Sequence, residues 1–234
     1  MIYQWIFLIS LWCLSFATFA DIGVSPIIVD LIGKDADTEI AVKNFDTKNN
    51  AYVEVTPYRL VHPANHAAPK KRVRDPEKEG LLVFPAKLVL LPGQTQFVRI
   101  IKTAKSLTKD QVYEVDFIPK VATRLISQKT PDGLQLGIRI IVGYGARITL
   151  RPDNPSPSLS VKRVNNQLII KNTGNTLLTI TSCTQQISQK KMEIPLEAYT
   201  LFAGQMTKKT LTRLTQVTLE ASFMGKSLNT FYTD

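Results

Sequence analysis

Leu134-Gln135-Leu136-Gly137-Ile138-Arg139-Ile140-Ile141-Val142-Gly143-Tyr144-Gly145-Ala146-Arg147-Ile148-Thr149-Leu150 is the stretch on which the fold turns. All nine even positions are apolar, whereas the odd ones are Gln, Gly, Arg, Ile, Gly, Gly, Arg and Thr. Successive side chains of a strand point to opposite faces, so this period of two describes a single strand with one apolar and one mostly polar face. A usual strand has about five or six residues. Seventeen residues at about 3.3 Å each would reach roughly 50 Å and overhang a domain of this size. A long apolar-faced edge invites aggregation unless it exists to pair with something. Lending it to an incomplete sheet of another protein is β-augmentation, with affinity from backbone hydrogen bonds and specificity from alternate side chains. The competing reading is an ordinary last strand that bends at Gly143 and Gly145 and packs wholly in its own core.

On either side of this stretch, short β-branched and aromatic runs recur between turn residues, and helical periodicity is almost absent. The chain reads as all-β. Upstream runs are 22–32, 38–45, 51–61, 81–91, 96–102 and 112–121, which with 134–150 make seven strands and one immunoglobulin-like sandwich. Three prolines within Arg151-Pro152-Asp153-Asn154-Pro155-Ser156-Pro157-Ser158 block strand pairing and mark 151–158 as a linker. Runs at 159–164, 167–172, 177–182, 198–202, 208–211, 217–223 and 227–232 then make a smaller β-sandwich domain, 159–234. The charged, proline-containing stretch 62–80 reads as a mobile insertion between strands.

Residues 1–20 carry no charged side chain and end Thr18-Phe19-Ala20, the small-residue pattern of a cleaved signal peptide. The N-terminal domain is then 21–150. No later run is long and apolar enough to span a bilayer, so no stable membrane insertion is expected. Cleavage removes Cys13 and leaves Cys183 alone, which excludes a disulfide within the mature chain and reads as a buried, inert thiol. The 29 basic and 19 acidic residues are spread evenly, each half carrying a net charge of +5. Nucleic acid is therefore not an expected partner. The densest run, Lys70-Lys71-Arg72-Val73-Arg74, is followed at once by Asp75, Glu77 and Glu79 and reads as a solvated loop. His62 and His66 flank Pro63 in a loop, no Cys/His pair, nucleophile elbow or metal-ligand spacing occurs, and neither an enzyme nor a metal or other cofactor is expected.

Leu91-Pro92-Gly93-Gln94-Thr95-Gln96-Phe97-Val98-Arg99-Ile100 resembles the Leu-x-Pro-Gly-x4-Val-Arg-Leu segment of periplasmic pilus-assembly chaperones of the PapD kind. The alternating strand ending Arg147-Ile148-Thr149-Leu150-Arg151-Pro152 is similar to their donor strand and its exit into the second domain. Tyr113 to Pro119 and Asn172-Thr173-Gly174-Asn175 match as well. The resemblance implies two immunoglobulin-like sandwiches joined at an angle in the shape of a boomerang. It implies a non-enzymatic chaperone that completes the sandwich of a pilin subunit and hands it to an outer-membrane usher. The inserted residues would be Leu134, Leu136, Ile138, Ile140, Val142 and Tyr144. Burying five such side chains at about 1.5 to 3 kcal/mol each gives roughly 7 to 15 kcal/mol before ordering costs.

The same resemblance implies that Arg147 anchors the subunit's C-terminal carboxylate, which a guanidinium can bind bidentately. The family's second basic anchor, a first-strand arginine, is missing, because Ile28 stands there. Arg99 or Arg139 could substitute, Arg99 being equally suited to pairing across its own sheet. Arg151 resembles the residue whose salt bridge fixes the angle between domains. The overhanging strand also implies self-capping of the free chaperone as a homodimer. A structural or adhesive surface protein built of immunoglobulin-like domains is the alternative, but would more often show a disulfide or tandem repeats.

Overall fold

Among the described residues, most of the alternating runs fold as strands. This computed structural model describes residues 22–61, 63–64, 69–120, 129–130, 133–134, 141–187, 190–197, 199–211, 213, 215–228 and 230–233. The first half contains β1 (Ile22–Ser25), β2 (Ile28–Leu31), β3 (Asp37–Asn44), β4 (Ala51–Leu60), β5 (Lys70–Arg72) and the helical turn α1 (Pro76–Glu79). It continues with β6 (Leu81–Phe84), β7 (Lys87–Leu90), β8 (Thr95–Lys102), β9 (Gln111–Lys120), β10 (Lys129–Thr130), β11 (Gly133–Leu134) and β12 (Tyr144–Leu150). One sheet has the order β1-β3-β8-β6 and the facing one β2-β12-β9-β4-β5, with β7 also on β4. Ile40, Val42, Val98 and Ile100 of the first sheet and Val55, Val115, Phe117 and Ile148 of the second belong to one buried cluster.

Two runs expected as single strands each divide at a proline. Ile22–Ile32 becomes β1, paired with β3, and β2, paired with β12. Leu81–Leu91 becomes β6, paired with β8, and β7, paired with β4. Pro26 and Pro85 have no N–H to give a ladder, so each marks the point where the chain crosses from one sheet to the other.

The segment expected as a mobile insertion holds two ordered elements. Lys70–Arg72 pairs antiparallel with Tyr58–Leu60 as an edge strand, where consecutive charges discourage further pairing. The turn α1 is capped by Asp75, whose side chain accepts from the Lys78 N–H at 3.3 Å, and ends at Gly80 with φ 83°. The Tyr113 hydroxyl donates to the Glu79 carbonyl and anchors the turn to the sandwich. His62 and His66 lie outside the described residues.

The expected continuous strand from Leu134 to Leu150 is also corrected. Residues 141–143 are not strand, and Leu134 pairs with Lys129 in a short hairpin. β9 pairs with β12 over its whole length and runs on to Lys120 beyond it, whereas β2 reaches only Arg147–Leu150. Of the even positions, Ala146, Ile148 and Leu150 are fully buried in the core and Tyr144 packs partly against it. Val142 is 48% exposed.

The second half comprises β13 (Leu159–Val164), β14 (Gln167–Asn172), β15 (Leu178–Ile187), β16 (Lys190–Glu193) and β17 (Thr200–Leu201). It ends with β18 (Met206–Thr210), β19 (Val217–Phe223), β20 (Lys226–Ser227) and β21 (Phe231–Thr233). Sheets β13-β14-β18 and β16-β15-β19-β20, with β17 on β15 and β21 on β19, share a separate core around Leu168, Ile170, Ile180, Leu201 and Leu219. Cys183 lies in this core as a free thiol, and burial pushes its pKa up to about 11. The architecture is therefore two β-sandwiches in series.

Candidate functional site

Strand β12 sits between β2, which runs parallel to it, and β9, which runs antiparallel. Its even side chains enter the core, so its odd residues, Gly145, Arg147 and Thr149, form the opposite face. Arg147 is opposite Glu114 on β9 and beside Ile28 on β2, while its N–H donates to the Ile27 carbonyl at 2.8 Å. Ile28 is 58% exposed, so the place of the missing first-strand arginine is an open apolar surface next to Arg147. Among the described residues, the Arg147 guanidinium has no hydrogen-bond or ion-pair partner, and its Nε is buried.

Charged groups line the same face. Glu114 bonds instead to Lys70, which reaches in from the edge strand β5 and also lies 3.8 Å from Asp116. The Lys70 ammonium is 5.9 Å from the Tyr58 ring centroid. Burial works against this ammonium, but its bonds to Glu114 and Asp116 more than offset that and its pKa is raised. The Asp116 carboxyl is pushed up to about 6, first by burial, with Glu114 adding repulsion and Lys70 opposing both. Gly145 of β12 makes room for Glu114, and Gly143, just before the strand, makes room for Ile118. A Cβ on Gly145 would stand 2.9 Å from Glu114 Oε1, and one on Gly143 would stand 2.6 Å from Ile118 Cδ1. Gly145 thus serves close approach of a side chain rather than a bend.

At the root of the strand, Arg151 is 2% exposed and joins the two sandwiches. It donates to Asp30 Oδ1 at 2.9 Å, Asp110 Oδ2 at 3.2 Å and Thr176 Oγ1 at 2.6 Å, and it lies 5.1 Å from the Phe223 ring centroid. Asp110 Oδ2 also accepts from the Leu177 N–H at 2.5 Å and from Thr176 Oγ1 at 3.1 Å. Burial raises the Asp110 pKa; the Leu177 bond and Arg151 pull the other way. Lys102, also buried, gives its three protons to Gly33 O at 2.8 Å, Arg151 O at 3.0 Å and Asp153 Oδ1 at 3.0 Å. That lysine ties β8 to both the end of β12 and the linker.

The expected site residues separate as follows. Arg147, Val142 and Tyr144 lie on or next to β12, and Arg151 ends it. Arg99 is not brought to this face: it stands on β8 in the other sheet, with Nε 2.8 Å and Nη2 2.7 Å from Asp37 Oδ2. The two are diagonal cross-strand neighbours, two residues out of direct register, which makes Arg99 a sheet residue. Leu136, Ile138, Arg139 and Ile140 lie outside the described residues, as do residues 1–20. Sequence reasoning missed Lys70, Glu114, Lys102, Asp110 and Thr176. Only the pairing register brings the first two to Arg147, and no local motif marks the other three.

No family model matches the sequence, and no curated protein matches it. Solved structures do match. The class 5 fimbriae chaperone CfaA aligns with a TM-score of 0.72 at 17% identity, over 91% of this chain and 97% of that one. A structure concerned with a chaperone–tip adhesin complex in CFA/I fimbriae biogenesis gives 0.71 at 20%, over 92% and 98%. The fold is that of the fimbrial chaperones. The SafB chaperone of Salmonella enterica, solved with SafA pilin, gives 0.59 at 12%, over 93% and 97%. With more than nine-tenths of this chain covered, the fimbrial-chaperone fold extends over both sandwiches. No helix among the described residues is long and apolar enough to cross a membrane.

Proposed function

We propose that the protein is a periplasmic chaperone that stabilises pilus subunits by donor-strand complementation and delivers them to an outer-membrane usher. The observation that carries this reading is β12. Its alternating pattern continues upstream to Leu134, and among the described even positions the domain's own core fully buries Ala146, Ile148 and Leu150, while Tyr144 packs partly against it and Val142 is 48% exposed. The shared fold with CfaA and SafB supports it, SafB having been solved with a pilin and another match being tied to a chaperone–tip adhesin complex.

In this reading Leu134, Leu136, Ile138, Ile140, Val142 and Tyr144 fill a subunit's open groove as an added strand. Arg147 receives the subunit's C-terminal carboxylate, its free guanidinium offering two parallel N–H donors. Arg151 fixes the junction between a 21–150 domain and a 159–234 domain across the 151–158 linker. The action is non-catalytic. Residues 1–20 direct export and are then cleaved off, and a free-state homodimer would shield the strand. Co-expression with pilin-like proteins from neighbouring genes tests this reading. A one-to-one periplasmic complex is expected, with recovery reduced by Ile140→Asp and by Arg147→Ala. Subunits that accumulate equally well without the protein would overturn it.

A further inference from the structure

Arg147 and Glu114 are opposite charges in directly opposite register on neighbouring strands, an arrangement that ordinarily makes a cross-strand pair. They make none: Glu114 is bonded to Lys70, and Arg147 has no partner among the described residues. Three observations account for this. Lys70 reaches across β4 from the sheet edge, bonding Glu114 Oε1 and standing 3.8 Å from Asp116 Oδ1, so that one ammonium faces two carboxylates. That same Oε1 lies over Gly145, where a Cβ would meet it at 2.9 Å, two residues from Arg147 and opposite Asp116. Asp116 itself is opposite Gly145, and the ammonium offsets its repulsion of Glu114 at that place.

We infer that Lys70 is a positioning residue: with the hole at Gly145 it holds Glu114 away from Arg147 and keeps the Arg147 guanidinium open to an incoming carboxylate. The inference rests on the reading of Arg147 as the carboxylate anchor and adds what keeps that anchor from being quenched by its own sheet. A charge-assisted bond is among the stronger polar contacts, so a Glu114 free to compete for Arg147 would weaken binding of an external carboxylate about tenfold.

The test uses the mature full-length chain labelled with 15N, observing the Arg147 Nε–H resonance. In wild type the resonance should be that of an unpaired guanidinium. Lys70→Met should move it to a paired position, and Lys70→Arg should leave it unmoved. Gly145→Ala, whose added methyl displaces only the flexible end of Glu114, should move it as Lys70→Met does. Adding Glu114→Gln to either variant should return it. An Arg147 resonance unmoved by both Lys70→Met and Gly145→Ala overturns the inference, as does a shift that Glu114→Gln does not reverse.

A second arm titrates a short alternating-apolar peptide ending in a free carboxylate, and the same peptide amidated. Wild type should prefer the carboxylate, Lys70→Met should lose about tenfold of that affinity, and the double variant with Glu114→Gln should regain it. Equal binding of the two peptides by wild type refutes the anchor itself. A carboxylate preference that Lys70→Met leaves intact refutes only the role of Lys70.

Discussion

Asp116 carries one of the clearer titration signatures in the molecule. Its carboxyl is raised from 3.8 to about 6, with burial as the main cause. Between those two values the folded chain holds a proton on Asp116 that the unfolded chain has released. Stability from this group therefore falls as pH rises through that window and is highest below it. Asp116→Asn should remove the slope: urea midpoints of wild type and variant at pH 4 and pH 6.5 should differ more at the higher pH, with the variant ahead. Equal differences at both values would show that the carboxyl is not perturbed. The sequence placed Asp116 on a strand and assigned it no role. Arg147 could be singled out through the resemblance of the strand that ends at Arg151-Pro152, and Cys183 could be read as buried because cleavage leaves it without a partner thiol. The partners that decide the state of Arg147 come from residues 44 positions apart, Lys70 and Glu114, and only strand register unites them.

At the scale of elements, the ends of β13, β14 and β19 agree with the apolar alternation read from the sequence, because each is bounded by turn residues and pairs in one sheet only. Strand β5 escaped that reading because three basic side chains give no periodic signal. The Asn172-Thr173-Gly174-Asn175 turn does more than reverse the chain. Ser158 O accepts from the Thr173 N–H at 2.9 Å and the Gly174 N–H at 3.2 Å, and the Ser156 N–H donates to Asn175 Oδ1 at 2.6 Å. A Cβ on Gly174 would meet Ser156 O at 2.3 Å and Ser158 N at 2.6 Å, both backbone atoms. Gly174→Ala should accordingly displace the linker and cost about 1 to 3 kcal/mol, read as a lowered urea midpoint. An unchanged midpoint would mean that the linker gives way freely.

For the molecule as a whole, two separate cores meet through a few buried polar groups. Arg151 and Asp110 are each 2% exposed at the side chain and form an ion pair at 3.2 Å, with Asp30 as a second acid on Arg151 at 2.9 Å. Arg151→Met would strand a buried carboxylate and should cost about 3 to 5 kcal/mol. Because the contact joins the two cores, calorimetry of the variant should show two separated unfolding transitions. A single transition at the wild-type temperature would refute this role. The two-sandwich organisation was legible from strand spacing and the proline-rich linker, whereas the network that couples the halves was not. Asp110, Thr176 and Lys102 are ordinary polar residues until the chain has folded around them.

The switch at Tyr144 has one more consequence, which concerns parity. Upstream and downstream of it the apolar side chains keep the same even count, although those from Ala146 onward fill the protein's own core and those before it are proposed to fill another's. One residue inserted between Val142 and Tyr144 would leave β12 and its core intact and yet turn the whole preceding segment over, presenting Gln135 and Arg139 where Leu134 and Ile138 had faced. A two-residue insertion would restore the phase. Folding and partnership are thus written in one reading frame, and a single added residue is enough to separate them.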